Sequence, residues 1–126
     1  MKGRMWPVIE IGRRRRNQPA PPHVLFEALT NPDRDPVRPW LQLLDDEVRP
    51  KVLRATEYSS VVWSSLWLER PDAIVQFDLP PDAGSGTALC WSMFVEEPLP
   101  GEELIGHMRK RVNELINANL RYTFGQ

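Results

Sequence analysis

Apolar residues recur along this chain in two rhythms, and the change between them marks its organisation. From Pro50 to Glu96 the period is two. Ala73, Val75, Phe77 and Leu79 alternate with Ile74, Gln76 and Asp78, and Leu89, Trp91, Met93 and Val95 alternate with Ala88, Cys90, Ser92 and Phe94. That is the pattern of strands whose successive side chains point to opposite faces. Strands are predicted over Lys51 to Glu57, Ser60 to Leu68, Ala73 to Leu79 and Thr87 to Glu96, with turns at Arg70-Pro71-Asp72 and Pro80 to Gly86. The short turns make the last three an antiparallel meander. Neither face of Thr87 to Glu96 is strongly polar, so that strand is expected to be covered on both sides.

Beyond Pro98 and Pro100 the rhythm becomes helical. Gly101 to about Phe124 places Leu104, Ile105, Met108, Val112, Leu115 and Ile116 within an arc of about 120°. His107, Lys110, Arg111, Glu114 and Asn117 take the other side. Glu102 and Glu103 in the first turn and Arg121 near the end suit the helix dipole. Such a helix, about 36 Å long, buries its stripe most simply by lying across the meander. Earlier in the chain, Trp6 to Gly12 reads as an opening strand running into Arg13 to Arg16. Asn17 to Pro22 is an extended connection, and Pro22 suits the first turn of a short helix over His23 to Thr30, stopped by Asn31-Pro32. After Pro36 and Pro39, Trp40 to Leu44 is predicted to form a second short helix with Trp40, Leu43 and Leu44 on one face.

Composition narrows the function. The 126 residues suit one domain over 1–126. Sixteen basic and 17 acidic residues leave a net charge of −1, so no whole-chain field draws it to nucleic acid. Four consecutive arginines in a strand send two side chains to each face, which dilutes a patch, and they read as a solvated strand end. A lone cysteine, Cys90, excludes an internal disulfide and any multi-cysteine metal site, and it points to a reducing cytoplasm. Lys2 and Arg4 resemble a signal-peptide start, but no apolar run follows, and no stretch reaches the roughly 20 apolar residues of a membrane helix.

Catalytic chemistry is thinly represented. Neither His23 nor His107 has metal-ligand spacing to a second histidine or a carboxylate cluster, so no metal is expected. Asp45-Asp46-Glu47 reads as a solvated turn, and Cys90 as a packed strand residue. Gly84-Ser85-Gly86 is a turn without a following helix to hold phosphate, so no cofactor is expected. Asn119 stands out because the wheel puts its amide on the apolar face of the last helix. It would orient a ligand there, or bond to backbone.

The segments Ala20-Pro-Pro-His-Val-Leu-Phe-Glu-Ala-Leu-Thr-Asn-Pro-Asp-Arg34 and Gly84-Ser-Gly-Thr-Ala-Leu-Cys-Trp91, with Trp40 after the first helix, resemble the START/Bet v 1-like (SRPBCC) superfamily. The first is similar to its Ala-Pro-x-x-x-Val/Leu-Phe/Trp-x-Ala-Leu-Thr-Asp-Pro opening, the second to its Gly-x-Gly-Thr-x-Leu-x-Trp strand. The resemblance spans nearly the whole chain and implies an α+β helix-grip fold. A curved antiparallel sheet of about five or six strands, one hairpin fewer than fuller members, would wrap a long C-terminal helix over about 101–124, with two short helices after the first strand. It also implies an apolar cavity between sheet and helix for lipids, polyketides or isoprenoid-like ligands. Trp63, Trp67, Phe77, Leu89, Trp91, Met108, Val112 and Asn119 would line it, with Trp40 and Tyr58 near its mouth. The same side chains would otherwise fill a solid core. The alternatives are a polyketide cyclase/dehydratase-type enzyme, for which only Tyr58, Asn119 and Asp78 could supply polar groups, and an Hsp90-activator-like interaction module with a filled core. The expected partner is thus an apolar small molecule, with neither nucleic acid nor membrane insertion. The outer face of the last strand, with Ala88, Cys90, Ser92 and Phe94, would be the patch for the interaction module's partner or for a homodimer.

Overall fold

The structure, a computed structural model, describes residues 8–34, 37 and 39–124. Trp6 and Pro7, which open the expected first strand, and Pro36 lie outside the described residues. Strand β1 (Val8–Gln18) leads through Pro19–Pro21 into helix α1 (Pro22–Thr30). Four strands follow, β2 (Val52–Thr56), β3 (Ser60–Trp63), β4 (Ile74–Asp78) and β5 (Thr87–Glu96). The C-terminal helix runs as α2 (Glu102–Glu114), a π-helical stretch over Leu115–Leu120 and a last turn, α3 (Arg121–Phe124). The class is α+β, with an open antiparallel sheet in the order β1-β5-β4-β3-β2.

The meander β3-β4-β5 forms as its alternation requires: Phe77 lies opposite Val61 and Trp91, and Val75 opposite Trp63 and Met93. β1 then pairs with β5 along its length, from Val8 opposite Glu96 to Gln18 opposite Thr87. A bulge between Glu10 and Gly12 shifts the register there. Arg14 and Arg16 stand opposite Trp91 and Leu89 on the inner face, while Arg13 and Arg15 stand opposite Ser92 and Cys90 on the outer one. The long outer arginine stems flank β5 on its far side, where Ala88 and Ser92 are buried and Cys90 and Phe94 half-buried.

The core lies between the inner sheet face, Leu25 and Leu29 of α1, and Met108, Val112, Leu115, Ile116 and Leu120 of the C-terminal helix. Gly12 is needed where β1 meets that helix, because a Cβ there would sit 2.9 Å from Arg109 Cγ and 3.2 Å from the Trp91 ring. Two expected elements are corrected. Trp40–Leu44 is irregular rather than a second helix. The Trp40 carbonyl accepts from the Asn119 side-chain amide (3.2 Å) and the Gln42 carbonyl from Arg111 (3.0 Å), so side chains of the C-terminal helix satisfy groups a local helix would have used. The strand expected over Ser60 to Leu68 stops at Trp63. There the Ser65 hydroxyl accepts from the Trp67 N–H (2.9 Å) and donates to its carbonyl (3.1 Å), closing a local turn.

Candidate functional site

Sheet and helix meet over a filled interior. Trp40, Trp63, Trp67, Phe77, Leu89, Trp91, Met108 and Val112 are all buried in one contact cluster. The Trp63 ring meets Phe77 edge-on at 4.8 Å and stacks on Trp40 at 6.1 Å. Its indole N–H donates to the Leu29 carbonyl at the end of α1 (2.8 Å). Tyr58 stands elsewhere, half exposed at the β2–β3 turn, where φ is 60°. Its ring packs edge-on against Phe26 (5.6 Å) and near His23 (6.3 Å), fastening the hairpin to α1. Asp78 lies on the outer sheet face beside Gln76.

Open volume appears at the edge of this core, around Trp40. On one side a crevice of about 620 Å³ is walled by Trp40, Pro19, Gln42, Asn117, Asn119 and Tyr122, among others. On the other, a cleft of about 360 Å³ lies between Trp40, Ala28, Pro32 and Phe124, rimmed by Glu27 and Arg34, which are ion-paired to each other. Both volumes fall in the range of small-molecule sites. Trp40 is only 1% exposed, yet its indole N–H has no partner. The π-helical stretch supplies Asn117, Ala118 and Asn119 to the larger crevice, and wider turns of this kind frequently mark functional sites. Asn119 takes the backbone alternative of the two open to it, through its bond to the Trp40 carbonyl.

No family model matches this chain, and no curated protein matches its sequence. Solved structures do. CalU16 from Micromonospora echinospora superposes with a TM-score of 0.60 at 19% identity, over 88% of this chain and 82% of that one. The Aha1 protein from Colwellia psychrerythraea, solved as a dimer, gives 0.62 at 14% identity, over 93% and 96%. Ara h 8.0201, a Bet v 1 allergen, gives 0.58 at 15%, over 95% and 100%. The fold is the helix-grip fold of START/Bet v 1-like proteins.

Within that helix-grip frame the two segments that carried the resemblance meet. The Thr87 hydroxyl, at the start of β5, donates to the Ala20 carbonyl just before α1 (2.8 Å). A Cβ on Gly86 would run into the Gln18 carbonyl oxygen and lie 3.2 Å from that of Pro19, so only glycine fits there. Asp82 accepts from the Gly84 and Gly86 N–H groups (2.7 and 3.1 Å), fixing the turn. These motif residues lock β1, α1 and β5 together.

Two expectations about charge are corrected. Arg111 is buried rather than on a polar side, and Glu47 is buried rather than part of a solvated triplet. Arg111 Nε and Nη2 donate to the two Glu47 oxygens (2.7 and 2.9 Å), and Nη1 donates to Glu114 (3.0 Å). The bond to Glu47 pushes the Arg111 guanidinium above its ordinary value, against the desolvation that burial imposes. His107 does have a carboxylate neighbour: its Nε2 lies 2.9 Å from Asp46. Asp46, Glu47 and His107 each bring a ligand atom within 4.8 Å of the others. Glu47, however, already accepts from Arg111 twice and from the Leu44 N–H (2.8 Å), which leaves it poorly placed to bind a cation. These contacts join residues 64 and 61 positions apart, a separation no local pattern reveals. Among the described residues, no helix is long and apolar enough to cross a membrane.

Proposed function

We propose that this chain binds a small, predominantly apolar molecule of the lipid, polyketide or isoprenoid-like kind in the crevice beside Trp40, on a scaffold whose sheet–helix interior is solid. The observation that carries the reading is a buried indole with an unpaired N–H forming the wall between two open volumes. A buried donor without an acceptor costs free energy, and a ligand with one oxygen and a flat apolar body would satisfy it while covering the ring. Gln42 and Asn117 add polar groups that can fix such a ligand's orientation, while Asn119 holds the Trp40 backbone in place. An enzyme would need an ionisable group free to move a proton, and the charged groups around Trp40 are engaged: Arg121 at this crevice donates to the Asn17 carbonyl (2.6 Å), and Glu27 pairs with Arg34 at the cleft on the other side. A reducing cytoplasm, argued from the single thiol, belongs to the same proposal.

The filled interior favours a second reading, an interaction module of the Hsp90-activator-like kind. One experiment separates the two. Tryptophan fluorescence is titrated with oleate, naringenin and farnesol on the wild type, Trp40→Phe and Ala118→Trp, with native mass spectra of each. Saturable quenching by one probe, lost in Trp40→Phe and blocked when a large ring fills the crevice in Ala118→Trp, is the expected result. Quenching that persists in both variants places the ligand elsewhere. No quenching, with a dimer mass in the spectrum, moves the conclusion to the interaction module.

A further inference from the structure

A second recess, independent of Trp40, lies between β1 and α2. It has a volume of about 290 Å³ and is lined by Arg14, Trp91, Gly106, Arg109, Lys110 and Asn113. Three features converge on it. Arg14 stands directly across from Trp91 on the inner face of β1. Gly12, two residues away on the same face, leaves room for the Arg109 stem to pass against the strand. Trp91, 1% exposed, lines the recess from the core side, where its indole can report on what enters.

Arg13, Arg34, Arg49, Arg70 and Arg111 each lie beside a carboxylate. Among the described residues, Arg14, Arg109 and Lys110 have no carboxylate within ion-pair distance, although they share one recess. Arg15, Arg54 and Arg121 also lack a carboxylate partner among the described residues, and what sets this recess apart is that three such cations share it. Arg16, next along the inner face, donates to Asn113 Oδ1 (2.9 Å), which takes up the amide oxygen that could otherwise face a cation. Like charges gathered without a counter-charge repel one another. Donors alone, two of them planar guanidinium forks, match the oxygens of a phosphate.

We infer that the recess between β1 and α2 binds the phosphate group of a small molecule, held by Arg14, Arg109 and Lys110 beside the Trp91 ring. The site opens at the sheet edge, so the rest of the ligand extends into solvent along β1.

The test follows the tryptophan indole N–H signals of ¹⁵N-labelled protein during titration with inorganic phosphate at constant ionic strength. Acetate and phosphatidylglycerol vesicles serve as parallel arms. The expected result is a saturable shift of the Trp91 indole with the Trp40 and Trp63 signals unmoved. Affinity should fall about tenfold in each of Arg14→Gln and Arg109→Gln, the loss of one charge-assisted bond. Arg15→Gln removes the same charge from the opposite face of the same strand and should leave affinity unchanged. No shift of Trp91, an equal response to acetate, or an equal loss in Arg15→Gln overturns the site. A response to vesicles without one to free phosphate overturns the small-molecule ligand. Arg14 and Arg109 are both exposed, so neither variant threatens the fold.

Discussion

Trp63 and Trp40 are stacked 6.1 Å apart in one core, and they belong to different kinds of region. Around Trp63 the demands are met: its N–H has a carbonyl and its ring has Phe77, and elsewhere in the interior the ion pair of Arg111 and Glu47 is likewise hydrogen-bonded. Around Trp40 burial is as complete, but the N–H is unmet, the backbone is irregular, and open volume lies on two sides. Equal burial therefore conceals unequal satisfaction. A region that is buried and satisfied holds the fold, whereas one that is buried and unsatisfied carries a cost that a partner could relieve.

The strongest way to break the satisfied interior is Glu47→Ala, which strands the Arg111 guanidinium there. Urea denaturation should show a loss of about 4 kcal/mol, as for other buried pairs cut on one side. If the loss is small, the pair is not an anchor of that interior. Next comes the same substitution at the two stacked indoles. Trp63→Phe should cost about 2–3 kcal/mol, since it removes ring volume and leaves the Leu29 carbonyl unmet. Trp40→Phe removes an N–H that bonds to nothing and should cost about 1 kcal/mol. Equal losses would erase the distinction between the regions.

The smallest effect lies outside both, at the β3–β4 turn. Arg70 grips Asp72 through two bonds (2.8 and 2.7 Å) and the Glu96 and Pro98 carbonyls at the end of β5 (2.6 and 2.7 Å), while Asp72 accepts from the Glu96 N–H (2.7 Å). The Arg70 guanidinium holds the Asp72 carboxyl below the usual carboxylate range, and the Glu96 N–H adds to this against some desolvation. Folded Asp72 thus binds a proton more weakly than the unfolded chain does. The stability it contributes is complete above the ordinary carboxylate range and drains away as the pH falls through about 4 and below. Asp72→Asn should cost about 1 kcal/mol at neutral pH and flatten that acid slope, read from denaturation midpoints across the pH range. An unchanged slope would remove Asp72 from the acid response.

The strands, the long helix and its apolar stripe were legible in the sequence because each is a local pattern: β5 ends where its alternation ends, and Met108, Val112, Leu115 and Ile116 are all buried. The two family-like segments were legible too, although their reason, the Thr87–Ala20 bond and the room Gly86 leaves, exists only in three dimensions. Arg111 was misread because a charge at the flank of an apolar stripe looks solvated until its partner is known, and that partner is 64 positions away. Trp40–Leu44 had helical spacing, but its carbonyls were claimed by Asn119 and Arg111 from across the molecule. The crevice beside Trp40 and Asn119 could not be placed from the sequence. Volume arises from what packing leaves over, and no periodicity records that.

The pairing of β1 with β5 also governs the order of events as the chain is made. Val8–Gln18 leaves the ribosome well before its partner Thr87–Glu96. Contacts this distant in sequence are slow to form, and a strand waiting without its neighbour is an invitation to pair with another nascent chain. Arg13 to Arg16 occupy the middle of that waiting strand. Mutual repulsion between copies makes it a poor template for self-association, so the arginines guard the polypeptide before it has a fold to guard.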